Sequence, residues 1–75
     1  MTEMQKLMFN AVGSEVEVHI IGGVKPFVGK CTAYTSPIDN EPEVATIDIK
    51  VNGMSSLYEI TEEEIETLII KTDEK

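Results

Sequence analysis

Tryptophan is absent, cysteine and histidine occur once each, and cations are scarce, with six Lys and Arg against fourteen Asp and Glu in 75 residues and a net charge of −8. Each shortage excludes something. A single cysteine, Cys31, leaves no partner for an intramolecular disulfide, and with no apolar leader in the opening Met-Thr-Glu-Met-Gln-Lys stretch the expected location is the cytoplasm. His19 and Cys31 supply two ligands where zinc takes three or four from protein. The acidic balance repels nucleic acid and anionic membrane surfaces alike. No run approaches the roughly 20 apolar residues of a membrane span. At this length the chain reads as one domain, 1–75, burying roughly 60% of its unfolded surface. That is too little for a deep substrate pocket, and association with further copies would bury more.

What is present is strand patterning. The stretch from Glu15 to Thr35 holds two runs separated by Gly22-Gly23. In the first, Val16, Val18 and Ile20 fall on one face and Glu15, Glu17 and His19 on the other, the period of two of a half-buried strand. In the second, Phe27, Gly29, Cys31 and Ala33 share a face, and the interior glycine marks a bend or a close backbone approach. Ile47, Ile49 and Val51 alternate with Thr46, Asp48 and Lys50 in a third strand. Asn52-Gly53 then signals a hairpin, leading to a fourth strand over Leu57 to Ile60. Thr61-Glu-Glu-Glu64 has the spacing of a capping box and room for one helical turn. A fifth strand runs from Ile65 to Lys71, and the polar tail 72–75 is expected to fray.

Before the strands, Thr2 to Val12 reads as a helix. Thr2 with Gln5 fits a capping box, Met4, Leu7, Met8, Ala11 and Val12 form one apolar stripe, and Gly13 is the stop. A helix this short needs a surface to pack on, which makes it a lid across one end of the sheet. The expected fold class is all-β: an N-terminal helix over 2–12, then five short, strongly bent antiparallel strands closing as a small barrel. Phe27, Cys31, Val16, Val18, Ile47 and Ile49 are expected to share its core.

No catalytic constellation emerges. Cys31 on an inward face is a small core residue rather than a nucleophile, which would need an adjacent base or positive charge. His19 points outward among carboxylates, away from Cys31. Asp39, Glu41 and Glu43 lack the order of a calcium loop, and the proline-bearing segment Ser36 to Glu43 reads as a solvated loop. Glu62, Glu63, Glu64 and Glu66 form an acidic run suited to an exposed turn or to a basic partner. Gly22-Gly23 lacks the helix and Lys of a phosphate-binding loop. The reading is therefore no enzyme, no cofactor and no metal.

Gly23, Phe27, Gly29, Cys31 and Tyr34 follow in the order of the first motif of the Sm-like family, with Thr35 where that motif has an acid; Leu57, Ile60, Ile65 and Leu68 fill the hydrophobic positions of the second. From Gly13 to Ile70 the chain resembles that family. The stretch 34–43, with Leu57-Tyr-Glu-Ile60 and Glu64-Ile65, is similar to small acidic Sm-like proteins of Gram-positive bacteria with no assigned role. The resemblance implies a Src-homology-type barrel and a ring in which the fourth strand of one subunit pairs with the fifth of the next. Here those edges are Leu57, Tyr58 and Ile60 on one side and Leu68 and Ile70, within 67–70, on the other. Sm-like RNA sites use an Asp-x-aromatic-x-Asn stretch and an Arg-Gly pair. Asp39-Asn40 sits in a longer loop than the former, and the latter falls on acidic Thr61 to Glu64. The expected function is thus a small interaction module that forms homo-oligomers or takes a protein partner. The alternative is an RNA-binding Sm-like protein using Asp39, Asn40 and Lys30 with Lys25, Lys50 and Lys71.

Overall fold

The structure, a computed structural model, describes residues 1–39 and 43–71. Helix α1 spans Glu3–Ala11 and is followed by strands β1 (Glu15–Ile20), β2 (Phe27–Thr35), β3 (Thr46–Val51), β4 (Leu57–Thr61) and β5 (Ile65–Lys71). Single 3₁₀ turns occupy Pro37–Asp39 and Glu62–Glu64. The expected tail 72–75 lies outside the described residues.

The five strands form one sheet in the order β4-β3-β2-β1-β5, every neighbouring pair antiparallel. The sheet is curled but not closed: β4 and β5 are its two edges and do not pair with each other, which corrects the expected barrel closure. The curl follows from the short 62–64 turn. β4 ends beside Thr46 at the start of β3, and β5 begins beside Ile20 at the end of β1. Four peptide links span at most about 14 Å, so the outer strands must be folded toward each other. In an alternating sheet of five the two edge strands run in the same sense, so no antiparallel bond can form between them within one copy.

Inside the curl lie Val16, Val18, Cys31, Ala45, Ile47, Ile49, Ile60, Ile65 and Leu68, capped by Met8 and Ala11 of α1. Phe27 is half-buried at the margin of this core, its ring 5.1 Å from that of Tyr58. Gly29 explains how β2 and β3 come so near: a Cβ there would collide with the Lys50 carbonyl and lie 2.8 Å from Val51 Cα. The alternation in β2 does not persist to its end. Between Cys31 and Ala33 the pairing with β3 shifts by one, so that Ala33 stands opposite Asp48 and Tyr34 opposite Ile47. Tyr34, not Ala33, therefore turns toward the core, where its ring meets Phe9 edge-on at 5.7 Å. A bulge leaves one residue unpaired and reverses the facing of those beyond it.

The helix is fastened at both ends. Thr2 accepts from the Gln5 N–H through its hydroxyl, and its own N–H donates to Gln5 Oε1, completing the capping box. Glu62 then takes the Thr2 hydroxyl at 2.7 Å and the Gln5 amide at 2.8 Å. At the other end Gly13, at φ +90, donates to the Cys31 carbonyl while Cys31 donates to Ser14. This is a bulge whose first residue sits in the left-handed region, a position that favours glycine. Val12, read as part of the apolar stripe, is the C-cap with ψ 129 and is exposed, because the chain has already left the helix there.

Candidate functional site

The distinctive feature of the molecule is its pair of open sheet edges, and hydrogen-bond phase decides what each offers. In an antiparallel ladder, residues pointing their backbone groups at one neighbour alternate with residues pointing at the other. Cys31 bonds to the β1 side, whereas the Val28 carbonyl accepts from Asn52 beyond β3. Glu62 N–H donates to the Ala45 carbonyl, so on β4 Tyr58 and Ile60 share that direction toward β3. Leu57, Glu59 and Thr61 consequently point outward. On the far side, β1 turns Glu15, Glu17 and His19 toward Lys71, Ile69 and Thr67 of β5. That leaves Leu68 and Ile70 with outward-pointing backbone groups.

One outward group is already satisfied. Thr61 N–H donates to Glu64 Oε1 at 3.0 Å, so the acidic turn blunts the β4 edge at its C-terminal end. Among the described residues, Leu57 and Glu59 on β4 and Leu68 and Ile70 on β5 point backbone groups outward.

The side chains expected at these edges divide. Leu57 is 54% exposed, while Tyr58 is half-buried against Phe27. Ile60 and Leu68 are buried in the core, and Ile70 packs against it. Ile60 accordingly offers an edge partner neither a side chain nor outward backbone. Ile69, not singled out from sequence, is 43% exposed on the outer face. The unbroken run Leu68-Ile69-Ile70 hid its phase; the Glu66 bulge, where the partner of β1 jumps from Thr67 to Ile65, sets it.

The remaining candidates resolve into structural roles or disperse. The Cys31 thiol is buried, and burial pushes its pKa up, with the nearby Asp48 charge adding to this and a weak 3.8 Å contact to the Ala33 carbonyl opposing it. A thiol so placed is a poor nucleophile at neutral pH. His19 lies on the opposite face with Nε2 2.7 Å from Glu17 Oε2, and Lys71 Nζ is 3.4 Å from Glu17 Oε1. These partners, His19 foremost and then Lys71, hold the Glu17 carboxyl below its usual value. No grouping of three or more potential metal ligands occurs among the described residues.

Lys71, Lys30 and Lys50 lie on one exposed cross-strand row, with Glu15 between the first two. Lys30 stands between Glu15 and Lys50 in the sheet register, Lys50 donates to the Met54 carbonyl at 2.7 Å, and Lys71 is held by Glu17. Asp39 closes the 37–39 turn, and Asn40 lies outside the described residues. No helix among the described residues is long and apolar enough to cross a membrane. No family model, curated protein or solved structure matches the chain.

Proposed function

We propose that the chain is a small, non-catalytic assembly module of the Sm-like kind that self-associates by pairing the edge of β4 with the edge of β5 of another copy. The observation that carries this reading is the pair of unsatisfied edges on one curled sheet. Exposed edge strands invite further pairing unless they are blunted, and here the blunting by Glu64 covers part of one edge. The N-terminal helix followed by five antiparallel strands is in keeping with the resemblance.

Two terms oppose each other. Edge pairing with about 800 Å² buried per subunit makes an interface of standard size. Each copy also carries a net charge of −8, and repulsion between exposed charges extends over about 8–10 Å near physiological salt. Backbone pairing and apolar burial win, and added salt tightens the assembly. Sedimentation at low and high salt tests this: a monomer at high micromolar concentration in both conditions refutes it. The lysine row is short and broken by Glu15, and it sits on a chain of net charge −8, so uridine-rich and adenine-rich RNA should not bind at micromolar concentration in physiological salt. Binding there would move the RNA-binding alternative into first place.

A further inference from the structure

Asn52-Gly53 is a turn signal, and it is also the pair of residues at which an asparagine side chain reacts most readily with its own backbone, because glycine has no Cβ to shield the attacking nitrogen. Of the three asparagines, Asn10 precedes Ala11 and Asn40 precedes Glu41; Asn52 alone precedes glycine. We propose that Asn52 is a site of spontaneous covalent modification, deamidation through a succinimide, and that Glu15 guards it.

The turn presents the reacting groups to solvent. Asn52 and Gly53 are both exposed, Gly53 sits at φ +83, and nothing lies within 4 Å of where its Cβ would be. The Met54 N–H closes the turn on the Val51 carbonyl at 3.1 Å, and the Asn52 N–H is given to the Val28 carbonyl. Neither bond uses the Gly53 N–H, the group that reacts. Once that nitrogen loses its proton to solvent, it attacks Asn52 Cγ. The N–Cγ bond forms, the Cγ–Nδ2 bond breaks, and the departing nitrogen takes a proton from water to leave as ammonia. Water then opens the succinimide ring at either carbonyl, giving aspartate or isoaspartate. Water is consumed, ammonia is released, and nothing is oxidised or reduced.

Glu15 opposes the reaction. Asn52 Nδ2 donates to Glu15 Oε2 at 2.8 Å, which ties the β3–β4 turn to β1. That bond holds the amide in one orientation and must break before the nitrogen departs. A carboxylate accepts hydrogen bonds and has no proton to give, so Glu15 keeps the leaving group in its amide form. The product reverses the contact. Deamidation replaces the donor with a second carboxylate and adds one negative charge to the −8 of the chain. Like charges facing across strands repel, so the tie becomes a repulsion. Lys30 and Lys71 stand beside Glu15 on β2 and β5, but Lys71 is engaged by Glu17. The step is intramolecular, irreversible and independent of assembly.

Incubating the folded chain at mildly alkaline pH, with peptide mapping by mass spectrometry, tests the site. Aspartate and isoaspartate should accumulate at position 52 and not at position 10, more slowly than in the urea-unfolded chain. Glu15→Ala should speed the conversion at least about five-fold. Glu15→Gln, whose side-chain carbonyl can accept the same bond, should stay closer to wild type. Glu15 is exposed, so both variants should keep the fold, which circular dichroism checks. Equal rates in folded Glu15→Ala and wild type overturn the guard, as does a wild type that converts as fast as the unfolded chain. No acid at position 52 in folded Glu15→Ala, while the unfolded chain converts, overturns the site. Asn52→Asp imitates the product without waiting for the reaction. It should lower the urea midpoint in the wild-type background and lower it less in a Glu15→Gln background; equal losses in both refute the repulsion.

Discussion

Replacing Gly29 by Ala isolates the close approach of β2 and β3. The added methyl meets the Lys50 carbonyl and carbon and the Val51 Cα, all backbone atoms of a central strand. No rotamer relieves that contact, so β3 must move away from β2 at the Lys30–Lys50 pair. Overpacking of this kind costs about 1–3 kcal/mol, and each weakened ladder bond adds about 1 kcal/mol. The smaller unfolded-state entropy of Ala returns about 0.4–1 kcal/mol. With one bond weakened the net expectation is about 1–4 kcal/mol, a large share of the roughly 4–11 kcal/mol that a domain of this length commands. Gly13→Ala is the comparison. Its left-handed φ of +90 strains Ala, but nothing lies within 4 Å of the new methyl, so that change costs about 1–2 kcal/mol. Urea unfolding followed by far-UV circular dichroism measures both. If Gly29→Ala unfolds within about 0.5 kcal/mol of wild type, or proves milder than Gly13→Ala, the steric account of the β2–β3 approach is refuted.

Three further outcomes are expected. The lowered Glu17 pKa means that its contribution to stability is complete above the unfolded value of 4.5 and is lost as pH falls through the folded one; Glu17→Gln should therefore flatten the acid limb of a stability–pH curve, and an unchanged limb would count against the His19 and Lys71 contacts. The raised Cys31 pKa predicts the reverse at high pH, stability falling as pH rises through the unfolded thiol's 9.0; at neutral pH a thiol reagent should label the folded chain at least about a hundredfold more slowly than the urea-unfolded chain. Glu62→Ala removes the acceptor shared by Thr2 and Gln5 and should cost about 1–2 kcal/mol, with amide exchange accelerating in α1 while β1 remains protected.

What could be read from the sequence is what depends on neighbours along the chain. Val16-Glu-Val-His-Ile20 and Ile47-Asp-Ile-Lys-Val51 alternate without interruption, and both strands appear with the expected faces inward. Thr2 and Gln5 carry the capping box in adjacent turns, so local spacing sufficed. The departures come from single inserted residues and from distant contacts. The bulge at Thr32 turns Ala33 out and Tyr34 in, yet Thr-Ala-Tyr carries no breaker to announce it. The Glu66 bulge is masked in the same way by the apolar run after it. Phe27 belongs at the margin rather than the centre of the core because Tyr58, thirty-one residues on in a different strand, covers its ring. At the edges, the choice of the fourth and fifth strands came from the resemblance, but which residues offer backbone groups depended on the phase of every ladder between them and on Glu64 reaching back to Thr61.

The double fastening of α1 bears on how the chain is made. Residues 3–11 leave the ribosome before the strands they cover, but the carboxylate that ties down their first turn belongs to Glu62. At about 5–20 residues per second, the fifty-seven residues from Lys6 to Glu62 take roughly 3–11 seconds to synthesise. A nine-residue helix has little stability by itself. Throughout that interval Met4, Leu7, Met8 and Ala11 have no completed sheet to cover, and the nascent segment stays available to chaperones. The lid is translated before every strand it covers, and its first turn waits for Glu62.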